Sequence, residues 1–492
     1  MKSLEFQDDL DLKARGYRRE MPRRSSTFSL VALSFSLTCT WSGTGSSIGI
    51  SLQDASAAGT IWSLPVAALM TAILSAGVAE LASAYPVAGA QYYWTFCLAS
   101  KEWRAFASDI NGWLSILGWW LASGAACNFI ASLILPIVIL WYPDYEIHNW
   151  QQWLVYIGIV WLAVALNTWG SQLLPLYNRF NFLVACITLT ATTITLFVCS
   201  RNNHAAPKWT FGDVTNGTGW QSEGFAFLLA ISNAVYAFLG TDCGAHVCEE
   251  IHDPTRNTPK IILYPILMGL VTAFPFAVAC MNAITNMDAV LNSPSGVPLI
   301  EIYYQSTGSK GASSIPLALF AFCFFGCTIP LNGLCLTGTV VSITSYTASS
   351  SLAHQPPSLQ WSVPRSSSFK LHVPYHRRCG RHIMPERPFS LGRFGLAINL
   401  ISVLWVILLD ILCFFPTERP VTKENINYVS VVSVGLTVTV FALYLFSKRG
   451  RYLGPRVPNE DLRQVVYQMD EGQEPDTSND AQYSGEYMPK KE

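Results

Sequence analysis

Ten stretches of this chain are apolar and long enough to cross a bilayer, which takes about 20 residues per helix. They lie at 28–50, 59–85, 110–141, 150–167, 180–200, 224–247, 261–283, 314–344, 396–415 and 429–446. Two of them, 110–141 and 314–344, are too short for two spans and suit one tilted or kinked helix. Pro316 and Pro330 would kink the second. A soluble chain of 492 residues would divide into domains with polar surfaces. Only 13% of these residues are charged, against about 25% in soluble domains, too few to clothe such surfaces. The runs do not alternate in polarity as barrel strands do. The expected fold class is therefore an all-α polytopic membrane protein.

Basic residues set orientation. Arg15, Arg18, Arg19, Arg23 and Arg24 precede the first run, and Lys448, Arg449 and Arg451 follow the last. Both termini are expected in the cytosol, which an even number of spans satisfies. No cleavable signal peptide is expected, because the first 27 residues are polar and the run after them is too long. The loop between Arg201 and Gln221 falls outside and holds a glycosylation sequon at Asn216. The expected organisation is a cytosolic tail at 1–27, spans one to eight at 28–344, a basic loop at 345–392, two spans at 393–447, and a disordered cytosolic tail at 448–492.

A polytopic protein does its chemistry where apolar helices are interrupted, since unpaired backbone groups survive there only inside protein or along a cavity. The first run reads SLTCTWSGTGSSIGISL, with Gly43, Gly45 and Gly49 among Thr44, Ser46 and Ser47. Unwound, it would offer amides and a half-helix N-terminus to a carboxylate. Left wound, it would be a seam for close helix packing. The sixth run ends FLGTDCGAHVCEE, where Gly240 and Gly244 bracket Asp242 and His246 follows. An ionisable residue at membrane depth is a functional candidate. Asp242 either faces a substrate ammonium or proton, or marks the helix end. Two such breaks, in runs one and six, match the paired discontinuous helices of inverted-repeat transporters.

The stretch Glu80-Leu-Ala-Ser83-Ala-Tyr85-Pro86-Val-Ala-Gly89-Ala-Gln-Tyr92-Tyr93-Trp94 resembles the E-L-x-S-x-Y-P-x-x-G-G-x-Y-x-W signature of the amino acid–polyamine–organocation superfamily, with Ala90 in place of the second glycine. Gly112-Trp113 and Gly118-Trp119 fit it too. So does the run from Glu249 through Pro254 and Arg256 to Pro259. The tone of the 211–220 and 240–250 stretches is similar to fungal choline, GABA and amino acid permeases. The resemblance implies an inverted-repeat core of five plus five helices with discontinuous first and sixth helices, two further helices, alternating access, and amino acid or amine substrates carried with protons. It implies that Thr44, Gly45, Ser46 and Ser47 on helix one, and Phe238, Gly240, Thr241 and Asp242 on helix six, hold substrate. It also implies that Glu80, Glu249 and Arg256 serve the inward gate. Some relatives place a lysine in the fifth span; none is present in 180–200, so Asp242 and His246 are the proton-coupling candidates. Trp41 and Phe238 could cradle a quaternary ammonium by cation–π contact.

The family has twelve spans and this chain shows ten runs. After residue 344 the sequence turns Ser-, Pro- and His-rich, and family-like sequence resumes at Ile383. Spans nine and ten are expected to be replaced by unrelated sequence, either a regulatory loop or the product of an out-of-frame exon. Four of the eight histidines fall there without metal-ligand spacing. The thirteen cysteines show neither disulfide nor zinc spacing. Neither metal nor cofactor is expected, and a net charge of −1 offers no surplus for nucleic acid. The sequence lacks HExxH and Walker motifs, which argues against an enzyme or a pump. The expected function is a permease, with a substrate sensor or an inactive permease as the alternative. The plasma membrane is the first expected location and the vacuolar membrane the second.

Overall fold

Inside a bilayer a backbone amide has only other backbone to bond, so apolar runs of this length close their own ladders as helices. The computed structural model describes residues 35, 38, 40–100, 102–170, 172–246, 248, 251–293, 295–334, 387–422 and 428–455. Every regular element among them is helical, and eight helices are long and apolar enough to span a membrane. The insert at 345–382, both distal tails and Glu249 lie outside the described residues.

Helix α1 (Thr40–Ala84) carries the first two runs on one 45-residue element. It is divided at Ala55 (φ −145°) and Ser56 (φ 58°), where the chain leaves helical geometry. The Ser56 hydroxyl donates to Asp213 O at 2.6 Å and accepts from the Thr215 amide at 3.2 Å. Those two bonds pin the divide to the loop before the sixth run. After α1 come α2 (Ala90–Leu98), α3 (Arg104–Trp141), α4 (Asn149–Thr168) and α5 (Leu174–Cys199). The short α6 (Pro207–Phe211) leads to α7 (Glu223–Tyr236), whose N-cap is the Ser222 hydroxyl. Then follow α8 (Cys243–His246), α9 (Pro254–Ala283), α10 (Met287–Leu291), α11 (Pro298–Thr307), α12 (Lys310–Leu334), α13 (Gly395–Phe414) and α14 (Val429–Leu443). Among the described residues the first two runs share α1, the sixth is split between α7 and α8, and the other seven each form one helix.

Helix α1 is the centre of the molecule, packed chiefly on α9 and α7 and then on α13. A second group joins α3 to α12, α4 and α2. The outermost helices show what covers them. On α5, Leu176, Phe180, Leu183, Ile187 and Ile194 are all exposed at three-, four- and seven-residue spacings. A soluble helix would bury that stripe; here it is the lipid face.

One expectation is corrected. Thr40 to Asp54 is a continuous helix, so the first span is not interrupted at Gly43–Ser47. Its hydroxyls bond back along the helix, Thr44 to Thr40 O at 2.9 Å, Ser46 to Gly43 O at 2.7 Å and Ser47 to Gly43 O at 3.1 Å. Its glycines receive neighbouring helices. A Cβ at Gly43 would stand 2.7 Å from Ala237 Cα, and one at Gly45 would stand 2.8 Å from the Phe320 ring. Packing, not unwinding, explains the small residues.

Candidate functional site

The sixth span is broken. Helix α7 stops at Tyr236 and helical geometry resumes only at Cys243. The amides of Ala237, Phe238 and Leu239 bond to carbonyls three residues back at 3.1, 3.0 and 3.2 Å, a tightened last turn. Gly240 then takes φ 80°, a backbone open to glycine at little cost. Among the described residues the amides of Gly240, Thr241 and Asp242 donate to no protein acceptor. At membrane depth such groups need a partner, which a bound solute or water can supply. Ala237, where the break begins, is the residue seated on Gly43, so span one and the break do meet.

The side chains of the break divide by role. Phe238 is buried in a hydrophobic cluster that also holds Leu64, Ala67 and Trp405. The Thr241 hydroxyl accepts from Ser75 Oγ of α1 at 3.1 Å. Asp242 is half-buried, and its Oδ2 accepts from Gln91 Nε2 of α2 at 2.6 Å. Asn111 of α3 continues the chain by donating to Gln91 O at 3.0 Å and to Thr95 Oγ1 at 2.6 Å. One network therefore runs from the break through α2 to α3. His246 belongs to a different contact. Its Nδ1 lies 3.0 Å from Ala88 O, which can only accept, so Nδ1 carries a proton there, and the buried Nε2 has no partner.

Span one supplies fewer free groups. Trp41 is 1% exposed and meets Phe276 and Phe320 edge-on, with centroids at 5.8 and 4.9 Å. Its ring is part of the core. Thr44, Gly45 and Ser47 are buried and Ser46 is half-buried.

The motif residues expected at a gate separate. Glu80 is nearly inaccessible and forms an ion pair with Arg387 Nη2 at 2.7 Å, reinforced by Arg387 Nε at 3.1 Å and the Leu391 amide at 3.2 Å. One turn on, Ser83 Oγ donates to Thr255 O at 2.7 Å and accepts from the Phe389 amide at 3.2 Å. The end of α1 is thus tied both to the start of α9 and to the strip before α13. Arg256 is exposed, and among the described residues its ion pair is with Asp253, three residues before it, at 3.7 Å. Among the described residues no group of three or more His, Cys, Asp or Glu could hold a metal ion.

Residues 26–331 match the model of the amino acid permease family. The chain belongs to that family. A choline transporter of Saccharomyces cerevisiae is 26% identical over 468 residues, covering 87% of this chain and 83% of its own. The amino-acid permease BAT1 of Arabidopsis thaliana is 25% identical over 499 residues, covering 90% and 95%. Amino-acid permease 2 of Neurospora crassa is 25% identical over 497 residues, covering 91% and 89%. The protein is an integral, multi-pass membrane transporter.

Three functional groups of this permease escaped the sequence reading. Gln91 lies inside the signature but gives no sign of its reach to Asp242. Arg387 lies 307 residues from Glu80, beyond any local pattern. Asp54 could have been found, being a carboxylate at the end of an apolar run. It is 1% exposed and accepts from Asn233 Nδ2 of α7 at 2.6 Å. Spans one and six are therefore joined at two levels, Gly43–Ala237 and Asp54–Asn233. At the sequon, the half-buried Asn216 bonds through its amide nitrogen to Trp220 O and accepts from Thr218 Oγ1 at 2.6 Å.

Proposed function

We propose that this permease imports amino acids or related amines, GABA and choline among the candidates, by alternating access and proton symport. The observation that carries the reading is the break in span six, where three unpaired amides and the Asp242 carboxylate lie on one turn of chain. Amides suit a substrate carboxylate and Asp242 suits its ammonium, so the break holds both ends of an amino acid. Gly45, Ser46, Ser47 and Thr44 form the facing wall, Phe238, Gly240 and Thr241 shape the break, and Trp41 stiffens it from behind. Asp242 and His246 are the proton-coupling groups in this reading. Glu80, clamped by Arg387, closes the cytosolic side, with Arg256 and Glu249 on the adjoining loop. Both termini face the cytosol and the plasma membrane is the site of action, with the vacuolar membrane as the other location to examine. Asn216 is proposed as a glycan acceptor on the outer loop, attached before that loop folds.

The test is uptake of radiolabelled GABA, choline and an amino acid panel at pH 5 and pH 7.5 in transport-deficient yeast, with surface expression measured in parallel. Saturable uptake, faster at pH 5, is the expected result. Uptake equal at both pH values would remove the symport.

A second reading, a substrate sensor or an inactive permease, has one observation in its favour. The family match ends at residue 331, shortly before the sequence loses its membrane character. No uptake from a chain correctly placed at the surface, restored when a twelve-span frame is supplied, would establish an inactive permease. No uptake from either would favour the sensor.

A further inference from the structure

A cavity of about 630 Å³ is lined by residues of α2, α3 and α8, and Asp242 is not among them. Its walls include the rings of Tyr92, Trp113, Trp119 and Trp120, with Tyr452 from the chain beyond α14. Its lining holds one carboxylate, that of Asp109. Asp109 is 7% exposed, and its Oδ2 has no hydrogen-bond partner. His246 lines the cavity too, and its Nε2 has no hydrogen-bond partner. Lys448 lies near enough for its charge to be felt at Asp109; among the described residues the two form no ion pair. The Tyr452 phenol lies 3.3 Å from Ser108 Oγ and is held above its ordinary range, chiefly by burial, so it stays neutral.

The aromatic rings and the unpaired Asp109 oxygen select for positive charge. Aromatic faces attract a cation, and more strongly where water is excluded. A buried carboxylate with an oxygen unpaired is costly unless a cation joins it. The lining holds no lysine or arginine to pair an anion or the carboxylate of a solute. The volume falls within the range of small-molecule sites.

We propose that this cavity is a second binding site, for a small organic ammonium ion, with Asp109 as counter-ion and the Trp113, Trp119 and Trp120 rings as its walls. A hydroxyl on the ligand would pair with His246 Nε2. This site shares His246 with the end of span six but has none of residues 237–242 in its lining, and it does not require that the chain transport anything.

The experiment uses the full chain purified into nanodiscs, titrated with choline, with tetramethylammonium, and with 3,3-dimethylbutan-1-ol, the uncharged carbon analogue of choline. Binding is read from tryptophan fluorescence. Saturable binding of both cations is expected, with the uncharged analogue at least tenfold weaker. Asp109→Asn is expected to weaken cation binding at least tenfold and to erase the preference over the analogue. Trp113→Leu, which keeps the carboxylate, provides a second route should the first variant fail to fold, and a loss of several fold is expected there. Gel filtration establishes that each variant is folded. Equal binding of choline and its uncharged analogue would overturn the proposal, as would unchanged binding in folded Asp109→Asn. Binding lost in Asp242→Asn but kept in Asp109→Asn would move the cation to the break in span six. Because the readout is binding, a chain that carries nothing across the membrane can still pass this test.

Discussion

Two segments of similar composition cross the centre of this permease and end differently. Span one holds Gly43, Gly45, Ser46 and Ser47; span six holds Gly240, Thr241, Asp242 and Gly244. Both looked able to unwind. Span one stays helical and span six does not. The hydroxyls of span one bond to carbonyls three or four residues back in a wound ladder, and its glycines receive Ala237 and the Phe320 ring. In span six the side chains bond away from their own helix, Thr241 to Ser75 and Asp242 to Gln91. Small and polar residues permit a break; where their neighbours bond decides whether one forms.

Asp242→Asn tests that difference most severely. It keeps the bond from Gln91 within reach and removes the only ionisable group of the 237–242 break. Uptake is expected to fall about a hundredfold, or about 2.7 kcal/mol, with membrane insertion intact. Normal uptake by this variant would remove Asp242 from the mechanism and leave the two spans functionally alike.

Gly43→Leu attacks the contact instead of the chemistry. With Ala237 Cα 2.7 Å from the first added atom, the backbone must shift. Overpacking of this kind costs about 2 kcal/mol, and the expected result is a lower thermal midpoint in detergent with less protein at the surface. An unchanged midpoint would mean that span one yields at Gly43 after all, as a hinge would.

The sequence made the helices legible and the joints much less so. Among the described residues each of the ten apolar runs is largely helix, because a lipid environment leaves the backbone few other solutions. The break in span six was visible because glycine brackets a carboxylate. The state of span one was not, since Gly43–Ser47 supports both outcomes and only Ala237 and Phe320 select between them. Distance hides the rest. Arg387 meets Glu80, and Asn233 meets Asp54, only after the chain has folded across itself.

Backbone conformation offers a finer test, with a built-in contrast. Gly240 stands at φ 80° and Ala90, where the family signature has glycine, at φ 39°. A side chain in that region costs about 1 kcal/mol. Gly240→Ala is expected to lose about that much stability together with most uptake, because the free amides move. Ala90→Gly is expected to gain slightly or stay level, with uptake retained. A Gly240→Ala chain with unaltered uptake would show that the amides of the break are not presented to substrate.

The smallest effect is expected in span one itself. Ser46→Ala and Ser47→Ala remove hydroxyls whose bonds run to Gly43 O at 2.7 and 3.1 Å, inside a helix that needs neither. Alanine is the better helix former, so the lost bond and the gained propensity nearly offset, leaving about 0.5 kcal/mol or less. If these hydroxyls only stitch the helix, the affinity for labelled substrate changes less than threefold in either variant. If they turn from Gly43 to grip a substrate carboxylate during the transport cycle, each removal leaves a charged oxygen short of a donor. That loss is worth about 1.5–3 kcal/mol and raises the apparent KM by tenfold or more. A tenfold rise at Ser46, which is half-exposed, with none at the buried Ser47 would place the substrate on one face of a span that never unwinds. Equal rises at both would mean that the wound ladder opens in another state of the cycle, and the contrast between the two spans would then belong to one conformation only.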